Sequence, residues 1–273
     1  MTINCKGNLI DLSSPKVMGV LNITPNSFFD GGKYKEETAI LTQIEKMLQA
    51  GATFIDVGAY SSKPNAEFVT EQEEIDRIVP VIELILKYFP DTLLSIDTFR
   101  SAVAKATLDR GAALINDISA GSLDAAMFEV VAKYQVPYIM MHMRGNPQTM
   151  QTLTNYDNVV KDLLSYFSEK IALARSFGIN DLIVDPGFGF AKTLVQNFEI
   201  FQKLEHFHIL ELPLLVGISR KSMIYKTLET TAQEALNGTT ILNTVALTKG
   251  AKILRVHDVK EAKECVTLLQ NLK

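Results

Sequence analysis

The chain has no tryptophan, only two cysteines and no excess of positive charge: 27 Lys and Arg stand against 31 Asp and Glu, a formal net charge of -4. Each shortage closes off a class of function. Binding of nucleic acid calls for a basic face to meet the phosphates, and this charge balance argues against it. Cys5 and Cys265 lie far apart and fit neither a CxxC redox pair nor a metal-ligand spacing, which points to a reducing compartment. No apolar run reaches the roughly 20 residues of a membrane span. The opening MTINCKGNLIDL has neither the apolar core of a signal peptide nor an Arg-rich transit pattern, so a cytoplasmic location without membrane association is expected. The chain also lacks GxGxxG after a strand, a P-loop, GxSxG and HExxH, which removes the usual dinucleotide, kinase and hydrolase readings.

What is present is core-forming material in a regular order. With 47% hydrophobic and 21% charged residues over 273 positions, the chain can bury a large core. Its length is close to the roughly 250 residues of a (β/α)8 barrel, so one domain over residues 1–273 accounts for it. Eight short apolar runs recur: KVMGVLNIT, FIDVGA, LLSIDT, LINDIS, YIMMHM, LIVDPG, LLVGIS and ILRVHD. Runs this short, rich in Val and Ile and ending in polar or turn residues, read as buried parallel strands, and the amphipathic stretches between them read as helices. The fold class is therefore α/β, a TIM barrel, with the polar residues 1–14 as a short N-terminal hairpin or cap beneath it. Thr70 with Glu73, and Asp258 with Glu261, have capping-box spacing at two helix starts, and Pro80 is expected to kink the first of these helices.

In such a barrel the strand C-termini converge on one mouth. Here those tips carry Asn22, Asp56, Asp97, Asn116, His142, Asp185, Lys221, Arg255 and His257. Asp97, Asn116 and Asp185 come from three strands, so their side chains are expected to meet a common ligand rather than one another. Ionised carboxylates accept two parallel hydrogen bonds, which suits a planar heterocycle with adjacent N–H and NH2 donors. Helix capping is the competing use of each of them. Ser219, Arg220 and Lys221, followed by Arg255 and His257, make the mouth locally basic where barrels commonly hold phosphate, so a phosphorylated substrate is implied. Asn22 is an oxygen ligand that could hold Mg2+ against phosphate, since Mg2+ takes few protein oxygens and keeps phosphates and waters. His142 has no partner at metal-ligand spacing and reads as a core histidine. Asp258, on the opposite strand face from Arg255 and His257, reads as a cap. Residues 24–34 and 60–69 are longer than minimal turns and read as binding loops.

The segments MGVLNITPNSFFDGG, IDVGAYSSKPNAE, SIDTF, INDISAG, DPGFGF, GISRKS and RVHDV together resemble the dihydropteroate synthase family across nearly the whole chain. The resemblance implies condensation of (7,8-dihydropterin-6-yl)methyl diphosphate with p-aminobenzoate in folate biosynthesis, with Mg2+ as cofactor and a homodimer as the assembly. It assigns Asp97, Asn116, Met140, Asp185, Phe190, Gly217, Lys221 and Arg255 to the pterin pocket. Asn22, Ser62, Lys63, Arg255 and His257 fall to the diphosphate, with Asn22 on the metal. Phe28, Ser62, Pro64, Ser219 and Lys221 fall to p-aminobenzoate. Asp97, Asp185, Lys221, Arg255 and His257 are the expected catalytic group. The second loop departs from the family's usual ESTRPGA: this chain reads YSSKPNA, which places Tyr60, Ser62, Lys63 and Asn65 where other residues are usual. A corrinoid-type pterin methyltransferase shares the Asp and Asn floor but needs no diphosphate site. A pterin-binding paralogue without activity is the third alternative.

Overall fold

The computed structural model describes residues 1–23, 33–60 and 69–272, with residues 33–36 described by their backbone alone. Two strands, β1 (Thr2–Cys5) and β2 (Asn8–Asp11), pair antiparallel through a tight turn in which Lys6 and Gly7 both have positive φ. This is the expected N-terminal hairpin. Ile3, Cys5 and Leu12 are buried against the first barrel layer, so the hairpin closes the bottom of the barrel as an apolar plug.

The barrel strands are β3 (Lys16–Asn22), β4 (Phe54–Gly58), β5 (Leu93–Asp97), β6 (Leu114–Asp117), β7 (Tyr138–Met141), β8 (Leu182–Asp185), β9 (Leu215–Val216) and β10 (Ile253–Val256). Each falls within one of the eight apolar runs. All neighbours pair parallel, in the order β8-β7-β6-β5-β4-β3-β10-β9. A single bridge, Val184 to Leu214, joins β8 to the short β9 and brings the sheet round on itself.

The outer layer among the described residues contains α1 (Lys33–Gln49), α2 (Glu71–Tyr88), α3 (Ser101–Leu108), α4 (Ala126–Tyr134), α5 (Val159–Ser176), α6 (Leu194–Gln202), α7 (Ser222–Tyr225), α8 (Leu236–Thr248) and α9 (Val259–Gln270). The capping box at Thr70 and Glu73 forms as the sequence predicts, and α2 buries Ile78, Val81, Ile82 and Ile85 while running on through Pro80. The box expected at the start of α9 does not form. Asp258 holds the cap position, but its side chain makes no capping hydrogen bond. Among the described residues no helix is long and apolar enough to cross a membrane.

Candidate active site

Strand alternation builds the floor of the mouth. Phe54, Leu114, Ile139, Ile183, Leu215 and Ile253 form the apolar layer that meets the hairpin plug. Two residues further along the same strands, on the same face, come Asp56, Asn116, Met141, Asp185, Gly217 and Arg255. Below this second layer the barrel is sealed by hydrocarbon, and above it the cavity opens. The alternation corrects one expectation. Met140, expected as an apolar wall of the cavity, instead packs in the helix-facing core with Tyr138 and Val184. Its neighbour Met141, paired with Asp185 in register, clusters with Ile118 and Phe190 at the mouth.

Arg255 ties the floor together. Its Nε donates to Asp56 Oδ2 and its Nη2 to Asp97 Oδ2, both at 2.6 Å. Asn116 Nδ2 donates to the same Asp56 oxygen at 3.0 Å, which leaves the Asn116 carbonyl as the part of the amide free to accept. Asp97, Asn116 and Asp185 bond other groups rather than one another, because buried charge and buried amide need donors or acceptors whenever no ligand supplies them. Asp56, mentioned in sequence only as a strand tip, is fully buried, and its Oδ1 has no hydrogen-bond partner among the described residues.

Burial sets the proton affinities. Desolvation pushes the Asp97 carboxyl up to about 7, against the opposing pull of Arg255. Desolvation also raises Asp185, opposed by Lys221 and by the Gly187 N–H, which donates to Asp185 Oδ1 at 2.8 Å. Lys221 is lowered to about 8 by burial, with Asp185 pulling it back up. For Arg255, burial works against the charge, but Asp56 and Asp97 outweigh it and the guanidinium is held more firmly protonated than usual. Lys221 Nζ donates to Phe188 O at 2.6 Å and lies 4.9 Å from the centre of the Phe190 ring. A Cβ placed on Gly217 would stand 3.8 Å from both Arg255 Cβ and Asp185 Oδ2, so the bare glycine leaves the floor open between them. Asp97, Asn116, Asp185, Gly217, Lys221 and Arg255 therefore lie together at the barrel mouth.

The rim is polar and more exposed. Ser219 Oγ lies 3.1 Å from His257 Nδ1 and accepts the His257 backbone N–H at 3.2 Å. Arg220 turns away from the mouth: its Nε and Nη2 each bond an oxygen of Asp258 at 2.8 Å, a bidentate pair that explains why Asp258 does not cap α9. Asn22 is exposed at the end of β3, and no group of three or more His, Cys, Asp or Glu among the described residues could hold a metal ion. Among the described residues Asn22 offers an amide oxygen, a donor that would suit Mg2+ if a bound diphosphate and waters filled its other positions.

His142 is 2% exposed and packs edge-on to Tyr166, 4.8 Å between ring centres, as a core histidine. Its Nδ1 meets Lys192, a buried cation that no motif reading picked out. Phe28, Ser62, Lys63 and Pro64, with Asn65, lie outside the described residues. Tyr60 is described: its ring meets Phe99 edge-on at 5.3 Å, the Arg100 guanidinium lies 5.2 Å from its centre, and its hydroxyl accepts from Gln148 Nε2 at 3.0 Å.

Comparison with known proteins matches this arrangement to one family. Residues 18–257 fit the family of pterin binding enzymes. The dihydropteroate synthase of Escherichia coli (strain K12) is 42% identical over 272 residues, covering 99% of this chain and 96% of that protein. The crystal structure of the Yersinia pestis dihydropteroate synthase in complex with a sulfonamide drug superimposes with a TM-score of 0.92 at 42% identity, covering 100% of this chain and 99% of the other. That of the Xanthomonas albilineans enzyme with 4-aminobenzoic acid gives 0.90 at 34% identity, covering 99% and 97%. An eight-stranded parallel barrel with an acidic floor, matched over nearly its whole length at this identity, places the chain in the dihydropteroate synthase family of pterin binding enzymes.

Proposed function

We infer that the chain joins (7,8-dihydropterin-6-yl)methyl diphosphate to p-aminobenzoate, giving 7,8-dihydropteroate and pyrophosphate. The observation that carries this reading is the floor itself: Asp97, Asn116 and Asp185 are acceptors gathered at the barrel mouth, with Arg255 among them, Lys221 beside Asp185 and His257 at the rim. A pterin ring offers the adjacent N–H and NH2 donors such a floor accepts, and its diphosphate reaches the basic side.

The chemistry needs no activated nucleophile. The methylene C–O bond breaks and its electron pair leaves on the diphosphate, producing a cation delocalised over the pterin. The arylamine nitrogen then forms the new C–N bond and gives up a proton. Asp97 and Asp185 favour the cationic ring, while Arg255 and His257 hold the departing negative charge, so catalysis is electrostatics and positioning. Binding the ring displaces Arg255 Nη2 from Asp97 and frees the guanidinium to stack on the pterin. Asn22, with the substrate's own phosphates, would hold Mg2+, which supplies further neutralisation of the leaving group. Ser219 and Lys221 border the p-aminobenzoate side, the ligand to which the family resemblance also assigns Phe28, Ser62 and Pro64.

The chain acts in the cytoplasm, in keeping with two free thiols, Cys5 and Cys265. It assembles as a homodimer through α8 and α9, where Ile241 and Leu268 are exposed. Sedimentation at micromolar concentration reads out a mass of two chains.

Release of pyrophosphate in a mixture of pterin diphosphate, Mg2+ and p-aminobenzoate tests the activity. Release that depends on the arylamine supports it. Binding of pterin without release leaves the inactive paralogue. Methyl transfer from methyltetrahydrofolate in place of release leaves the methyltransferase.

A further inference from the structure

We propose that Lys192 is a positioning residue for the pterin site: its buried side chain fixes the backbone of residues 187–190, against which Asp185, Lys221 and Phe190 are set. The inference rests on the reading of the cavity as the pterin site. Lys192 is 6% exposed, unusual for a lysine. Its Nζ donates to Gly187 O at 3.0 Å, Phe190 O at 2.9 Å and His142 O at 3.3 Å, and stands 3.0 Å from His142 Nδ1. Three carbonyls and an imidazole nitrogen thus surround the Lys192 amine, whose proton affinity burial pushes well below that of a free lysine while Asp185 pulls it back up. His142 is suited to accept, since burial holds its pKa down to about 2 and the ring stays neutral.

The loop needs such a donor. It turns through Gly187, Gly189 and Ala191, all with positive φ, and directs Gly187 O and Phe190 O inward; Gly187 O takes the Phe190 N–H at 3.1 Å as well as Lys192, whereas Phe190 O faces Lys192. It is also pressed against the end of β7: a Cβ on Gly187 would stand 2.2 Å from His142 O.

The Gly189 N–H of the same loop donates to Asn197 Oδ1 at 2.7 Å, and other groups of the loop face the floor. Gly187 N–H holds Asp185 Oδ1, Phe188 O receives Lys221 Nζ, and the Phe190 ring lies beside that ammonium. Fixing the inward carbonyls therefore fixes the outward groups. Without Lys192 the loop would rotate to rehydrate its carbonyls, and the pterin floor would lose the placement of an acceptor and a cation together.

The test compares the wild type with Lys192→Met at a temperature well below the melting point of each. The expected result is a pterin-diphosphate KM raised on the order of 10-fold or more, with a smaller rise in the p-aminobenzoate KM, since Lys221 borders that side as well. A variant that melts earlier but keeps the wild-type pterin KM overturns the proposal, since a merely structural lysine does that. Should the Met variant not fold, Lys192→Gln, which keeps two N–H donors on a shorter stem, is read the same way: a raised pterin KM supports the proposal and an unchanged one overturns it. Absence of pterin-dependent turnover in the wild type would instead sink the function reading, so the two failures are distinguishable.

Discussion

Arg255 spans the floor of the mouth to reach Asp56 and Asp97 at once, each at 2.6 Å, so one guanidinium is shared by two carboxylates, one fully buried and one largely buried. A charge this enclosed is expensive to leave unpaired. Removing one partner of a buried ion pair typically costs about 3–5 kcal/mol. Arg255→Met is therefore expected to lower stability by an amount of that order in denaturant unfolding and to abolish pterin-diphosphate turnover. The double variant Arg255→Met with Asp97→Asn should recover part of the stability and none of the activity. A single variant as stable as the wild type would show that the pair is not the structural tie described here.

The raised proton affinity of Asp97 gives the pH dependence its sign. Its carboxyl titrates at about 7, above the ordinary carboxylate value of 3.8, because burial outweighs Arg255. Pterin N–H groups need the ionised form, so kcat/KM for pterin diphosphate is expected to fall as pH drops through about 7. The stability linkage runs the opposite way. The folded state binds the extra proton between the two values, so this group's contribution to stability is fully present at acid pH and is lost as pH rises through about 7. In Asp97→Asn that component disappears, and the fall in melting temperature between pH 6 and 8 should be shallower than in the wild type.

The barrel was legible because each strand announces itself by an apolar run with a polar end, and the site because the fold brings those ends together. The misreadings share a cause. In YIMMHM no residue carries a charge, so nothing in the run marks which methionine faces inward; the register of Met141 with Asp185 settles it. Asp258 has the spacing of a helix cap, but spacing says nothing of Arg220, which arrives from another loop with two parallel N–H groups. Lys192 follows the legible DPGFGF segment and belongs to no motif. Its role depends on where three carbonyls point, which is set by tertiary packing alone. Asp56 is as visible in its run as Asp97, although β4 continues to Gly58, and the clue available was its place two residues beyond Phe54 on the inward face.

Gly217 separates the fold from the function. A Cβ there meets Arg255 and Asp185 at 3.8 Å, ordinary contact distance, so the backbone tolerates a side chain. The added methyls of valine would instead occupy space in the cavity between Asp185 and Arg255. Gly217→Val is expected to unfold within a few degrees of the wild type while the pterin-diphosphate KM rises on the order of 100-fold. Calorimetry and steady-state kinetics on the same preparation check it, and a variant that binds pterin normally would move the ring elsewhere in the mouth.

Glu74 is fully buried under the start of α2, where Thr98 Oγ1 donates to one oxygen at 2.8 Å and Arg100 Nη1 to the other at 2.6 Å. Arg100 Nη2 also donates to Val69 O, and its guanidinium lies 5.2 Å from the Tyr60 ring centre, so one side chain links the described residues on either side of 61–68. Burial already raises the Glu74 carboxyl against the pull of Thr98 and Arg100. Arg100→Met leaves that carboxyl with a hydroxyl alone, and a loss of about 3–5 kcal/mol is expected in urea unfolding near neutral pH. The loss should shrink under mild acid, where Glu74 takes up a proton and no longer needs the cation. Glu74→Gln in the same background should restore part of the stability by the same logic, and a double variant no more stable than Arg100→Met would refute the charge argument.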